Sequence, residues 1–528
     1  MKKTLLLGDE AIAQAALDAG ISGVYAYPGT PSTEITEYIQ GAPETSERYI
    51  HSRWAANEKT AMEAALGMSY VGKRALVCMK HVGVNVAADA FINSAMTGIN
   101  GGLIVLAADD PSMHSSQNEQ DSRFYGNFSM IPMLEPSNQQ EAYDMVYNGF
   151  ELSEQLGVPI LLRITTRLAH SRSGVVRESV KQPNELSFPN EPQRFVLLPA
   201  IARKRFKWLI EAQNTFLDKS ENSSYNQYIN ASNKKMGVVA CGIAYNYLME
   251  NYPNGCEYPV LKISQYPLPK KQTLQLVDEC EEILVLEDGF PFVEESIKGY
   301  LGIGIKVKGR LDGTLSRDGE LTPDSVARAL GIQTEVTREI PEVVKMRPPS
   351  LCQGCGHRDV YEILNEVAKE YENAKIFSDI GCYTLGALPP FRAINSCVDM
   401  GASITMAKGA ADGGLYPAIA VIGDSTFTHS GMTGLLDCVN ENTNVTIIIS
   451  DNETTAMTGG QDSAGTGKLH AICAGLGVAP EHIRSVVPLK KNHEEMRTII
   501  RDEINYKGVS VIIPCRECIQ IIGKKKKN

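Results

Sequence analysis

Two short polar clusters follow apolar runs late in the chain: Gly423-Asp424-Ser425 after AIAVI, and Asp451-Asn452 after VTIIIS. Each falls where an expected strand ends, with a helical segment between them. An Asp and an Asn at neighbouring strand ends offer hard oxygen ligands, the kind Mg²⁺ takes while it also grips a diphosphate. Gly423 and the turn after it let backbone N–H groups face phosphate oxygens, helped by the positive end of the next helix. The plainer reading is an ordinary strand-turn-helix with Asp424 as its cap.

Five cysteines of this region stand at expected strand ends or turns: Cys352 and Cys355 in LCQGCGHRD, Cys382 in SDIGCYTLG, and Cys515 and Cys518 in VIIPCREC. Four converging thiolates suit an iron–sulfur cluster or a structural zinc, and unligated thiols stay open as a third reading. The other seven cysteines sit in apolar or scattered contexts and read as core or incidental. Far upstream, WAANEKTAMEAALGMSY places Glu58 at the head of an alanine-rich helix. In AYPGTPSTEI, Pro28 and Pro31 stiffen a loop from which Thr30 presents a hydroxyl toward an anion. The block ADDPSMHSSQNEQDSRFYG is dense in polar side chains, as site-lining loops often are, and Arg123 in it is a candidate counter-ion for a carboxylate. A helix-surface Glu58, a capping Ser32 or Thr33 and a surface Arg123 are the bland alternatives.

The elements that must carry these residues are α/β throughout. The chain has 528 residues, a net charge of −11 and ordinary soluble composition; it is too long for one core. No basic stripe offsets the negative charge, which argues against nucleic acid, and no apolar run is long enough for a membrane. The N-terminus reads as a first strand and helix, not a signal peptide; with irregular cysteine spacing this fits a reduced cytoplasm. Strand-like runs (GVYAYPG, RALVCMK, GGLIVLAADD, VPILLRITT) alternate with helical ones up to about Val180, which argues for a parallel sheet with helices on both faces. The expected organisation is an α/β domain at 1–181, a linker with one amphipathic helix at 182–235, a small α/β domain at 236–340 and a second large α/β domain at 341–528. The small domain lacks an evident cofactor motif and reads as structural.

The GD(G/S)-to-Asn pattern resembles the thiamine-diphosphate fingerprint. With YPGTPS, NEK at residue 58, KHVGVN, CxGCGHR, DIGCYTLG and DNETTAMTGGQ, nearly the whole chain resembles the indolepyruvate-type branch of the 2-oxoacid:ferredoxin oxidoreductases. The resemblance implies two thiamine-diphosphate-binding doubly wound parallel-sheet domains flanking a transketolase C-terminal-like one. It implies Mg²⁺ on Asp424, Asn452 and the Thr454 carbonyl, and a cofactor bed of Gly401, Gly423, Asp424, Ser425, Asn452 and Thr454. Glu58 would be the carboxyl that activates the aminopyrimidine, with Glu63 the competitor, and Thr30 would face the substrate carboxylate. Cys352, Cys355, Cys382 and Cys518 would hold a 4Fe-4S cluster, with Cys515 the alternative fourth ligand and zinc the alternative metal.

The implied reaction converts indolepyruvate, coenzyme A and oxidised ferredoxin to indoleacetyl-CoA, CO₂ and reduced ferredoxin, with phenylpyruvate and hydroxyphenylpyruvate equally open as substrates. Implied partners are a smaller β subunit, ferredoxin and a second copy in a homodimeric core. Longer members continue into a ferredoxin-like domain, whereas this chain stops at KKKKN soon after Cys518. It therefore reads as a short form whose electrons leave through another protein. The rival expectations are a non-oxidative thiamine-dependent decarboxylase or synthase, which gives the clustered cysteines no task, and a non-catalytic thiamine- or zinc-binding subunit.

Overall fold

The computed structural model describes residues 3–191, 193–299, 301–302, 304–333, 341–345 and 349–525. Residues 334–340 and 346–348 of the expected second linker, and 526–528 of the basic tail, lie outside them. The chain divides into two compact units, 1–338 and 339–528. Among the described residues no helix is long and apolar enough to cross a membrane.

The first unit holds two main sheets. Seven strands run in the order Gln265–Tyr266, Met133–Leu134, Ile160–Thr165, Leu103–Asp109, Ala75–Lys80, Gly23–Ala26, His51–Trp54, all pairing parallel except Gln265–Tyr266. The three central strands ALVCMK, LIVLAAD and ILLRIT are buried at every position, as strands covered by helices on both faces must be. Thr4–Leu7 departs from the expected parallel sheet. It pairs antiparallel with Arg172–Val175 in a separate ribbon, and its first two residues are exposed, so it lacks the two-sided burial a parallel strand needs.

The second sheet runs Val307–Lys308, Ile283–Leu286, Gly237–Cys241, Val260–Ile263, Gln227–Ile229. The stretches expected as 1–181 and 182–235 and the described residues of 236–340 up to 333 fall in one compact unit. Gln265–Tyr266 crosses over to edge the seven-stranded sheet, and Gln227–Ile229, inside the expected linker, edges the five-stranded one. The linker's helix, Pro199–Glu221, buries Leu209 and Phe216, two turns apart. Its Arg205 donates to the carbonyls of Met96 and Thr97 (2.9 and 3.1 Å), satisfying the end of helix His81–Thr97 that would otherwise lack partners.

The main sheet of the second unit is six-stranded and parallel, in the order Ser396–Cys397, Lys375–Ser378, Ala418–Gly423, Val445–Ser450, Val509–Pro514, Ile483–Val486. Strand order reverses between Lys375–Ser378 and Ala418–Gly423, because the chain first adds Ser396–Cys397 on one side and then everything else on the other. In open α/β sheets the crevice beyond such a reversal, at the carboxyl ends of the strands, is where ligands bind.

Candidate active site

Four adjacent strands of the second unit end on polar or thiol residues: Asp379, Asp424, Asp451-Asn452 and Cys515. Asp424 opens the short helix Asp424–Thr426, which runs through a π-helical turn, Phe427–Gly431, into Met432–Asn440. Such turns favour functional sites because they re-aim side chains within a helix. Asp424 is buried (2% exposed) and its Oδ2 has no hydrogen-bond partner. Burial pushes its pKa up to about 7, with Asp451 adding to the rise against the Ser463 hydroxyl and the Ser425 and Asn452 amides. An orphaned buried carboxylate oxygen beside a second carboxylate is costly in an empty protein and suits a divalent cation.

Asn452 Oδ1 accepts from the Thr454 amide (3.2 Å). The Thr454 hydroxyl donates to the Gln461 carbonyl (2.9 Å), so the Thr454 side chain is spent holding the loop. Ser425 and Thr455 share a hydroxyl–hydroxyl bond of 2.8 Å across the crevice. Gly423 lies against the Tyr383 ring, whose Cε1 would be 2.6 Å from an added Cβ, so no larger residue fits there. Gly401, at φ +96°, caps helix Ala402–Asp412. The residues present fit a metal–diphosphate group.

The thiols meet beside this crevice. Cys352, Cys355, Cys382 and Cys518 line one cavity of ≈ 150 Å³, together with Asp451 and Asn452. Burial raises the pKa of Cys382 to about 12, and Cys355, Cys518 and Cys352 add to the rise; Cys355 is likewise raised by burial, then by Cys352 and Cys518. Thiols that oppose one another's ionisation need compensating positive charge to become ligands, which a metal cluster supplies. Among the described residues no three of these sulfurs lie within 4.8 Å of one another.

Cys515 does not line the cavity. Its thiol is raised to about 12 by burial, and the charges that add to it are those of Asp451, Glu453 and Asp424. Cys518 is tied to the crevice by its own amide, which donates to the Asn452 carbonyl at 3.2 Å. His357, buried and lowered to about 4 by that burial, stands 3.4 Å from Cys355 Sγ through Nδ1.

In the first unit Glu58 is the first residue of helix Glu58–Tyr70, behind Asn57, whose side chain accepts from the Thr60 amide (2.8 Å). It is 6% exposed, whereas Glu63 pairs with Lys59 at the surface. Its carboxyl lies on Gly83, in the first turn of helix His81–Thr97: a Cβ added there would stand 2.7 Å from Glu58 Cγ and Oε1. The Thr30 loop is braced by Gly29, whose amide donates to Thr33 Oγ1 (3.0 Å), and by Ser32 Oγ, which donates to the Gly29 carbonyl (2.9 Å).

Arg123 corrects the reading of it as a substrate counter-ion. It is fully buried, and its donors are taken by Asp121 (2.5 Å), Glu287 (2.9 Å) and the Phe290 carbonyl (3.0 Å). With Arg163, which holds Asp109 (2.6 Å), Glu135 (2.5 Å) and the Asp288 carbonyl (2.6 Å), it forms a charge network that joins the two sheets of this unit. A cation so enclosed has no donor left for a ligand. The cation that does stand by the Thr30 loop is Lys80. Its Nζ donates to the Ser115 carbonyl and hydroxyl (2.6 and 3.1 Å), and that hydroxyl reaches the Thr30 carbonyl (3.4 Å). Burial lowers the Lys80 pKa to about 8 against the pull of Asp110.

Asp379 and Lys80 add to the residues the sequence points to, and Asp451, there only the neighbour of Asn452 in a polar cluster, joins them in the site. The signal for the two acids was present, since each follows an apolar strand directly. Lys80 ends the apolar run ALVCM, where a strand-terminal cation gives no warning of burial. Asp379 is fully buried and raised to about 7 by burial, while the Ser403 amide donates to its Oδ2 (3.2 Å) and the Tyr383 hydroxyl to its Oδ1.

Residues 14–218 match the family described as pyruvate flavodoxin/ferredoxin oxidoreductase, thiamine diphosphate-binding. Residues 379–513 match the thiamine pyrophosphate enzyme C-terminal TPP-binding domain. The indolepyruvate oxidoreductase subunit IorA of Methanothermobacter thermautotrophicus is 37% identical over 99% of this chain and 88% of its own. That of Archaeoglobus fulgidus is 38% identical over 98% and 86%. Among solved structures, the 2-oxoglutarate:ferredoxin oxidoreductase of Magnetococcus marinus superposes with a TM-score of 0.51 at 14% identity, over 62% of this chain and 65% of that one. That likeness extends to the fold.

Proposed function

The chain belongs to the indolepyruvate oxidoreductase IorA family of thiamine-diphosphate-dependent 2-oxoacid:ferredoxin oxidoreductases, and on that premise we propose that it oxidatively decarboxylates aryl pyruvates, indolepyruvate among them, to acyl-CoA, CO₂ and reduced ferredoxin. The observation that carries the reading is the meeting, in one unit, of four thiols with the strand ends that bear Asp424 and Asn452. A 2-oxoacid decarboxylase without oxidation has no use for an electron acceptor there.

Thiamine diphosphate, when bound, supplies the nucleophilic carbon and the electron sink for decarboxylation. Asp424, Asn452 and the Thr454 carbonyl would hold Mg²⁺ on its diphosphate, the Asp424 proton leaving as the ion arrives. Gly423, Ser425 and Gly401 would present backbone amides to the phosphates. Glu58, sheltered from water, would hold a proton at the aminopyrimidine nitrogen, the task of a buried carboxyl in general acid–base catalysis. Thr30 and Lys80 would bind the substrate carboxylate. Cys352, Cys355, Cys382 and Cys518 would carry a 4Fe-4S cluster to accept electrons one at a time. A smaller β subunit, a second copy of this chain, coenzyme A and ferredoxin complete the proposed system, with the cytoplasm its expected place.

EPR of the anaerobically purified complex, given thiamine diphosphate, Mg²⁺, coenzyme A and indolepyruvate, tests the proposal. A reduced-cluster signal that needs substrate and vanishes in Glu58→Gln is the expected result. Iron-free protein that releases an aldehyde would replace the oxidative reading with simple decarboxylation, and zinc without iron or turnover would leave an assembly subunit.

A further inference from the structure

The first unit also brings together Asp9, Glu34 and His170, whose ligand atoms all lie within 4.8 Å of one another. They come from three helices: Asp9 is second in Gly8–Asp18, Glu34 second in Thr33–Gly41, and His170 last in Thr166–His170. The approach is built into the backbone. The Gly8 amide donates to the Ser171 carbonyl (3.2 Å), and the Leu168 carbonyl oxygen stands 2.1 Å from where a Gly8 Cβ would be, so only glycine lets these segments meet.

Asp9 is 0% exposed, yet neither of its carboxylate oxygens has a hydrogen-bond partner. Glu34 Oε2 is buried without one as well. A buried ionised carboxylate with no partner is among the most expensive groups a protein can hold. Burial and the charges of Glu34 and Glu10 both drive the Asp9 pKa well up, so the empty cluster resists its own charge. Glu34 and His170 are partly open to solvent (40% and 37%), which leaves a way in for an ion.

We infer that Asp9, Glu34 and His170 form a second metal site, for a divalent ion such as Mn²⁺ or Zn²⁺ with water completing its shell. Two carboxylates and one imidazole are the ligand mixture those ions accept. Glu34 Oε1 and His170 Nε2 are 3.7 Å apart, inside the ~4.2 Å that two ligands at ~2.1 Å can span across one ion. The Asp9 ligand atom lies within 4.8 Å of both, so a side-chain adjustment brings it to the same ion. The ion would be structural: it ties together three helix ends and steadies the helix into which the Thr30 loop leads.

The test is Mn²⁺ binding to the full chain, followed by EPR of the free ion, with Mg²⁺ and thiamine diphosphate saturating the other site. The hard ion is chosen because it avoids the thiols. One Mn²⁺ per chain is expected. Loss of an outer partner alone weakens metal sites roughly 10–100-fold, so Asp9→Asn and the surface variant His170→Gln should each weaken it at least ~10-fold. Mn²⁺ should raise the melting midpoint of the wild type and of neither variant. Wild type that takes up no Mn²⁺, or variants that bind as tightly, would overturn the site and leave a shared proton between Asp9 and Glu34. His170→Gln keeps the test open should Asp9→Asn fail to fold.

Discussion

Gly83→Ala isolates the placement of Glu58 from its chemistry. Gly83 lies in the first turn of helix His81–Thr97 in ordinary helical conformation, so alanine is compatible with its backbone, and within a helix alanine is better than glycine by about 1 kcal/mol. The added methyl, however, would stand 2.7 Å from Glu58 Cγ and Oε1 and 3.0 Å from Cδ, where ordinary contact begins at 3.4 Å. The carboxyl must therefore retreat by about 0.7 Å. A misplacement near 1 Å can lower a rate ~10²-fold, so a fall in kcat of roughly 10–100-fold is expected, about 1.4–2.7 kcal/mol of barrier. The melting midpoint should hold or rise.

The assay is pyruvate-dependent reduction of ferredoxin by the complex. Hydrogen–deuterium exchange at thiamine C2 serves beside it, since that reports activation directly. Exchange and kcat should fall together in Gly83→Ala, while thiamine diphosphate affinity changes little. An unaltered Gly83→Ala next to an inactive Glu58→Gln would refute the positioning argument alone. Full activity in both would remove Glu58 from the activating role.

Further outcomes follow from the second unit and from the buried network. Cys518→Ser should lose iron or convert the cluster while Cys515→Ser keeps it, because only Cys518 faces the other three thiols; iron and acid-labile sulfide analysis reads the difference. With the Asp424 carboxyl at about 7, proton and metal compete for it. Mg²⁺ affinity should therefore climb about tenfold per pH unit below 7 and level off above, with about one proton released, measurable by calorimetry in two buffers. In the metal-free chain the sign for stability is opposite: the folded state holds that proton more tightly, so the group's contribution declines as pH rises from 3.8 to about 7. Arg123→Met should destabilise the chain by roughly 3–5 kcal/mol by leaving buried carboxylates unpaired; a raised KM with an unchanged melting midpoint would instead restore Arg123 to the substrate.

Much of this protein can be read from local pattern. Strands buried on both faces must be continuously apolar, so ALVCMK, LIVLAAD, AIAVIG and VTIIIS announce parallel sheets without any knowledge of their order. The polar residues that end such strands, Asp424 and Asn452 among them, announce a site because a carboxyl strand end is where an open sheet meets its ligand. The spacing of CxGC, DIGC and PCREC marks thiol chemistry by residue type alone. What a one-dimensional pattern cannot carry is which groups share a buried space.

Cys515 and Cys518 stand in the same short motif, where only the family resemblance favours Cys518, and the turn after Pro514 decides which faces the cavity. Arg123 sits in a block as polar as any binding loop, yet folding encloses it among Asp121, Glu287 and Phe290, residues up to 167 positions away. Gly83 against Glu58, and Asp9 against Glu34 and His170, are likewise matters of packing. Side-chain type and periodicity are properties of neighbours along the chain, whereas burial, pairing and the pKa values they impose belong to neighbours in space.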